Sequence, residues 1–384
     1  MNPVSLYFDN AATSHPKPEE VLDAVVHYHR ELPASAGRGG YREAVEAGRM
    51  LGELRASLAR FVGAASPERV IFTLNGTDAL NLAIKGFVRA GDHVVTTAYD
   101  HNSVLRPLHR LEADGVVTTT CVPPRDDGMI HADDVVAAFR PTTRLVVMSH
   151  ASNVTGAIAP AEAVGRAARA RGIRFLLDAA QSVGRIPVDV EACAVDLLAF
   201  PGHKALMGPQ GTGVLWIRDG VDLRPLREGG TGSRSDQPYQ PEELPDRFEP
   251  GAHNGPGLAG LLAAVRWFER TGADRVFARH RELSERLFAV LAGIPGAVVP
   301  GPASSASRIP IHAAVFPGRD PLEVAVALDR RHDVKVRGGF HCAPLAHRRF
   351  DTASAGGAVR FAPGWFTTDE DLARLDAALR DVIG

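Results

Sequence analysis

Residues 173–218 read IRFLLDAAQSVGRIPVDVEACAVDLLAFPGHKALMGPQGTGVLWIR and hold three short apolar runs, IRFLLDAA, VDLLAFP and GTGVLWIR. Each run is nearly continuous in Val, Ile, Leu and Phe, as suits a strand covered on both faces, and turn-forming residues bound it. Toward the N-terminus RVIFTL, DHVVTTA, GVVTTTCV and RLVVMSH repeat the pattern. Among these runs, NGTDALNLAIKGFV, SVLRPLHRLEAD and PAEAVGRAARARG space their apolar residues at helical intervals. Strand then helix, repeated from about residue 66 to residue 220, predicts an α/β fold with a mostly parallel central sheet and flanking helices.

The segment from Leu226 to Pro256 is rich in Gly, Pro and Ser without a sustained period, so a long loop excursion is expected there, of the kind that is usually functional. Beyond it LAGLLAAVRWFERTG and VFARHRELSERLFAVLAGI read as amphipathic helices leading into a smaller α+β C-terminal domain. The expected division is a large domain over residues 14–257 and a small one formed by residues 1–13 and 258–384. Lys and Arg total 43 against 45 acidic residues, with no long run of either sign, which argues against nucleic acid or anionic lipid as a partner. No stretch approaches the ~18 apolar residues of a membrane span, and the N-terminus MNPVSLYFDNAATS lacks a leader, so a cytoplasmic protein is expected. Cys121, Cys193 and Cys342 are too few and too scattered for a disulfide framework or a C-x-x-C metal site.

Ligands of open parallel sheets sit beyond the carboxyl ends of the strands, so polar residues that close predicted strands come first. VDLLAFP delivers His203 and Lys204 to that edge, with Pro201, Gly202, Leu206, Met207 and Gly208 around the lysine. Desolvation in such a setting lowers an amine's pKa and makes it nucleophilic toward an aldehyde; an ordinary surface lysine is the alternative. IRFLLDAA closes on Asp178, with Gln181 three residues on. A carboxylate at a buried strand end calls for a cation such as a protonated pyridine nitrogen, although by itself a helix N-cap fits as well. RVIFTL leads into Asn75, Gly76 and Thr77 at a helix start, whose free N–H groups suit a phosphate. Simple capping by Asn75 or Thr77, with Asp78 favouring the dipole, explains that spot equally well taken alone.

In GGFHCAPLAH, Cys342 stands among His341, His347 and several arginines, and a thiol near cationic groups is partly thiolate and reactive. Cys121 and Cys193 lie in strand-like or core-like contexts and read as inert. Arg360 in GAVRFAPGW is strand-borne, and its planar fork matches a carboxylate bidentately; a surface salt bridge is the alternative.

The succession YFDNAAT, GRGGYR, DHNSVLRPL, SHASNVTGAI, DAAQSVG, GHKALMGPQGTG, GGTGS, LPDRFEPG, GGFHCAPLAH and VRFAPGWFTTDEDL resembles, over essentially the full chain, the class V aminotransferase-fold enzymes of the cysteine desulfurase and selenocysteine lyase group. The resemblance implies the PLP-dependent transferase fold type I and pyridoxal 5'-phosphate held as a Schiff base by Lys204. It implies that Asp178 partners the pyridine nitrogen, Gln181 donates to the ring hydroxylate, His101 stacks over the ring and Asn153 lies beside the ring hydroxyl and the substrate. Gly76, Thr77 and His203 would carry the phosphate, and Arg360 the substrate carboxylate. Lys204, Cys342 and His101 would be the catalytic groups, Cys342 accepting sulfur as a persulfide while cysteine, or selenocysteine, becomes alanine. A small amino-acid substrate, a homodimer and room for a sulfur-acceptor protein follow from the same resemblance. A class V transaminase, a lyase acting on a cysteine conjugate, and a non-catalytic sulfur carrier are the competing readings.

Two positions depart from the group's pattern. Pro201 stands where relatives carry Ser or Thr, and Ala252 where they carry a Thr that reaches the neighbouring subunit's cofactor phosphate. At ~1 kcal/mol per hydrogen bond, and more for one to a charged group, the two losses are expected to weaken cofactor retention by roughly one to a few orders of magnitude. His253 is expected to supply a compensating cation across the dimer interface.

Overall fold

The computed structural model describes residues 6–384, so the first five residues of the expected 1–13 segment lie outside it. All seven predicted strands form one sheet: β2 (Val70–Thr73), β3 (Asp92–Thr97), β4 (Val117–Val122), β5 (Thr143–Ser149), β6 (Arg174–Asp178), β7 (Leu197–Pro201) and β8 (Gly213–Ile217), following β1 (Leu6–Tyr7) in the chain. Their spatial order is β2-β8-β7-β6-β5-β3-β4. Strands β3 to β7 pair in parallel, and β8 runs antiparallel to both of its neighbours, β2 and β7. The reversal has a simple cause. Residues 202–212 between β7 and β8 are fewer than the dozen or so that a parallel crossover needs.

Alternate residues of each central strand enter different cores, as the two-residue period of a strand requires. Val146, Met148, Phe175, Leu177, Leu198 and Phe200 pack on one face. Leu145, Val147, Leu176, Leu197, Ala199 and Leu215 pack on the other. The first face is covered by α1 (Glu19–Glu31), α2 (Arg42–Phe61), α5 (Ala132–Ala137), α6 (Ala161–Arg169) and α7 (Gly255–Thr271), and the second by α3 (Gly76–Phe87) and α4 (Asn102–Ala113). Helix α7 packs against α1 and α2, and its Leu258, Leu261, Val265 and Phe268 belong to the first core. By packing, this helix therefore goes with the large sheet, although the boundary drawn at 257/258 separates the two.

The C-terminal region builds its own core from Phe8, Leu287, Leu328, Phe361 and Leu375. It contains α8 (Ala273–Ala292), α9 (Pro321–His332), α10 (Pro344–Arg349) and α11 (Asp369–Ile383), with an antiparallel sheet ordered β11 (Arg337–Gly339), β12 (Ala358–Phe361), β9 (His312–Ala314). Strand β1 pairs in parallel with β10 (Val334–Lys335), which brings the N-terminal segment onto this region. Between β8 and α7 only one short 3-10 turn, Asp246–Phe248, interrupts the irregular chain, as the composition of that segment predicts. Among the described residues no helix is long and apolar enough to cross a membrane.

Candidate active site

A cavity of about 340 Å³ opens at the carboxyl edge of the sheet, and every predicted site residue except Cys342 lines it. Five strand ends supply the wall. Thr77 follows β2, His101 follows β3, Asn153 follows β5, Asp178 closes β6, and His203 and Lys204 follow β7. Arg360 enters from β12 in the C-terminal region. Gly202 is required just before the histidine, because a Cβ there would lie 2.4 Å from the Thr212 Oγ1.

Helix α3 begins at the cavity, with Asn75 as its cap accepting a hydrogen bond from the Asp78 N–H at 3.0 Å. Capping and anion binding are thus compatible here, since Gly76 and Thr77 still face the cavity. The Thr77 hydroxyl lies 2.7 Å from that of Ser103, and the Ser103 Oγ lies 2.9 Å from His101 Nδ1. The Ser103 N–H also donates to Nδ1 at 3.0 Å. Nδ1 is therefore an acceptor, and the neutral ring carries its hydrogen on Nε2. Burial first, and then the cation Lys204, push the His101 imidazole down to about 3, which keeps it neutral.

Gln181 has its amide orientation fixed by a buried arginine. Arg185 Nη1 donates to Gln181 Oε1 at 2.9 Å, so the Gln181 amide nitrogen points the other way and donates to the Ala11 carbonyl at 3.0 Å on the cavity wall. Asp178 is buried, and its only hydrogen-bond donor among the described residues is the Ala180 N–H at 2.9 Å. Burial raises its carboxyl to about 6, opposed by the Ala180 N–H and by the charge of Lys204. Lys204 is half-buried, and burial, opposed by Asp178, lowers its ammonium to about 8. An under-partnered carboxylate, a partly deprotonated amine and a helix start lined by a hydroxyl and a glycine fit the pyridine nitrogen, aldehyde and phosphate of pyridoxal phosphate. The Pro201 ring packs against the start of α3, where a Cβ on Gly76 would lie 3.2 Å from Pro201 Cδ.

Arg360 is 1% exposed and bonds Asp9 at 2.7 Å, while its Nη1 donates to the Asn153 carbonyl at 3.2 Å. The ion pair spans the chain and anchors the N-terminal segment to the cavity. Replacing Asp9 by Ala leaves a buried guanidinium without its counter-charge. The expected loss of unfolding free energy is about 3 kcal/mol, measurable by urea denaturation.

Cys342 sits at the mouth, outside the cavity wall. Its Sγ lies 3.5 Å from an Arg337 Nη2 that does line the cavity. The expected Gly-rich approach loop is in fact the end of β11, a tight turn and the start of α10. His341 and Cys342 occupy consecutive left-handed positions, with φ of 50° and 58°. Non-glycine residues there cost roughly 1–3 kcal/mol each. Hydrogen bonds hold the turn: Asn153 Nδ2 donates to the His341 carbonyl at 2.6 Å, and the Asn102 N–H donates to the Cys342 carbonyl at 2.8 Å.

His253 does not face this cavity: its Nε2 bonds Glu249 of the same chain at 2.6 Å, and that buried carboxylate is also clamped by Arg55. His253 and Ala252 line a separate cavity of about 90 Å³ beside that ion-pair cluster. Cys121 lies in β4 and Cys193 packs half-buried against the first core, and burial raises both thiols, as expected of unreactive cysteines. Sequence reading passed over Asp9, Ser103, Arg185 and Arg337. All four lie in or directly beside quoted motifs: Asp9 in YFDNAAT, Ser103 in DHNSVLRPL, Arg185 after DAAQSVG and Arg337 before GGFHCAPLAH.

A doubly flanked sheet with a lysine-bearing turn at its carboxyl edge defines a class of enzyme. The class-V aminotransferase profile matches residues 6–375, and the chain belongs to that family, whose members depend on pyridoxal phosphate. The chain is similar to a probable cysteine desulfurase of Methanothermobacter thermautotrophicus, 35% identical over 384 residues, covering 99% of this chain and 95% of the relative. A cysteine desulfurase of Yersinia pseudotuberculosis is 30% identical over 386 residues, covering 98% and 93%. Among solved structures, the apo cysteine desulfurase of Thermococcus onnurineus matches with a TM-score of 0.91 at 33% identity, covering 99% of this chain and 94% of that one.

Proposed function

We propose that this protein is a cysteine desulfurase that binds pyridoxal phosphate through Lys204 and passes sulfur to Cys342, releasing alanine. The observation that carries the reading is a thiol on a strained turn, next to Arg337, at the mouth of a cavity that already holds Lys204, Asp178 and Arg360. A transaminase needs the lysine and the two charges but has no use for a thiol held at that cost. The bound cofactor supplies a ring that accepts electrons from the substrate's α-carbon. Gly76, Thr77 and His203 would hold its phosphate, Gln181 its ring oxygen, and Asp178 a proton on its nitrogen.

Arg360 anchors the substrate carboxylate and so orients the α-C–H toward Lys204. The Lys204 amine, lowered to about 8, is partly free base near neutral pH and takes that proton. His101 would cover the ring and offers an N–H at Nε2. The Cys342 thiolate attacks the substrate sulfur, the carbon–sulfur bond breaks, and the carbon is protonated on the way to alanine. Selenocysteine fits the same site. We place the protein in the cytoplasm as a homodimer, with an acceptor protein drawing sulfur from Cys342 at the mouth.

Incubating the holoenzyme with cysteine, selenocysteine and cystine in parallel, with and without a reductant, tests the reading. Alanine and sulfide in equal amounts from cysteine are expected. Amino transfer to an added α-keto acid without sulfide would overturn it in favour of a transaminase, and products from a cysteine conjugate alone would favour a different lyase.

A further inference from the structure

Two imidazoles behind the Cys342 turn take no part in the chemistry above. His341 and His347 are each 1% exposed. His341 Nε2 lies 3.0 Å from the Arg337 carbonyl, which can only accept, so that nitrogen carries the hydrogen. In the neutral ring His341 Nδ1 is then an acceptor, and it lies 3.2 Å from His347 Nε2. His347 Nε2 is thus a donor and His347 Nδ1 is bare, 2.7 Å from the Thr352 hydroxyl. One direction satisfies every ring nitrogen: Thr352, whose hydroxyl also lies 3.3 Å from the His347 carbonyl, donates to His347 Nδ1 over the shorter 2.7 Å contact, His347 donates to His341, and His341 to Arg337. Burial pushes both rings below the usual imidazole range, His347 to about 4, which agrees with two neutral histidines.

The chain of donors ends on the two parts that surround the thiol. Arg337 on β11 reaches Cys342 Sγ, and His341 is the first of the two left-handed residues. We infer that His347 is a positioning residue for sulfur transfer: by fixing which nitrogen of His341 donates, it locks the Cys342 turn to the Arg337 strand. The inference rests on Cys342 being the sulfur acceptor. It gives His347, on a different element from the thiol, a role in presenting Cys342 rather than in binding substrate or cofactor.

The test uses the holoenzyme with His347→Leu, His347→Gln and Thr352→Val. Loss of one buried hydrogen bond corresponds to roughly tenfold, so His347→Leu is expected to lower kcat for sulfide release about tenfold. KM for cysteine should stay within about twofold, because the lost contact touches neither substrate nor cofactor. His347→Gln keeps an N–H toward His341 and is expected to restore most of the rate. Nitrogen NMR of histidine-labelled protein should show His341 and His347 both protonated on Nε2, and Thr352→Val should disturb that pattern at His347 even if the leucine variant fails to fold.

A glutamine variant as impaired as the leucine variant, an unimpaired leucine variant, or a hydrogen on His341 Nδ1 would each overturn the inference. A wild-type protein that makes no sulfide would instead defeat the functional reading, leaving the nitrogen assignments to judge the donor chain on their own.

Discussion

Lys204→Met is expected to stop turnover and, at the same time, to make the cofactor-free protein harder to unfold. Loss of the base alone lowers kcat by about 10²–10⁴-fold, and loss of covalent attachment adds to that. The stability gain has a separate origin. In the cofactor-free protein burial lowers the ammonium from an ordinary 10.5 to about 8, so between those values the native state binds fewer protons than the unfolded chain. Stability of the wild type therefore rises as pH climbs through that window, and below it the cost of the buried charge is present in full. The methionine variant escapes this cost, by about 1–3 kcal/mol at neutral pH. Urea midpoints of the two cofactor-free proteins at neutral pH and above pH 10.5 check the sign: the gap should close at the higher pH. A gap that does not change with pH would show that the gain comes from packing instead.

Cys342→Ser should uncouple the two halves of the site. A serine hydroxyl is not ionised at neutral pH and is a poor acceptor for sulfur, so alanine and sulfide formation from cysteine are expected to fall about 10²-fold, equivalent to about 3 kcal/mol in the barrier. Cofactor binding should be unchanged, since the thiol lies outside the cavity wall. Selenocysteine turnover is expected to survive, because selenium is the better leaving group and can depart without the thiol. Mass spectrometry of the Cys342 peptide after one turnover in the wild type should show an added sulfur atom. Full activity of the serine variant with cysteine would rule out the persulfide route.

The central sheet was legible in the sequence because apolar strands buried on both faces leave a local signal, and because the residue that closes each strand marks the edge where ligands bind. Asp178, His203 and Lys204 could be found in that way. The direction of β8 is set by the length of a connection, so it did not show in the strand's own composition. Arg185 and Ser103 act on Gln181 and His101 through a pair of hydrogen bonds each, and neither residue type announces such a partner. Asp9 and Arg360 are an ion pair across most of the chain, so either residue alone looked like a surface charge or a substrate ligand. Cys342 was identifiable, but its pair of left-handed backbone angles was not, because neither His nor Cys signals that conformation as glycine would.

The ion pair between Asp9 and Arg360 also bears on how the protein is made. The two residues are separated by 351 positions, and at about 5–20 residues per second a ribosome needs roughly 20–70 s to travel between them. For most of that interval the N-terminal segment has neither β10 nor β12 to dock on, while the large sheet can already assemble. Closing the cavity thus waits for β12, which is made only after every strand of the large sheet.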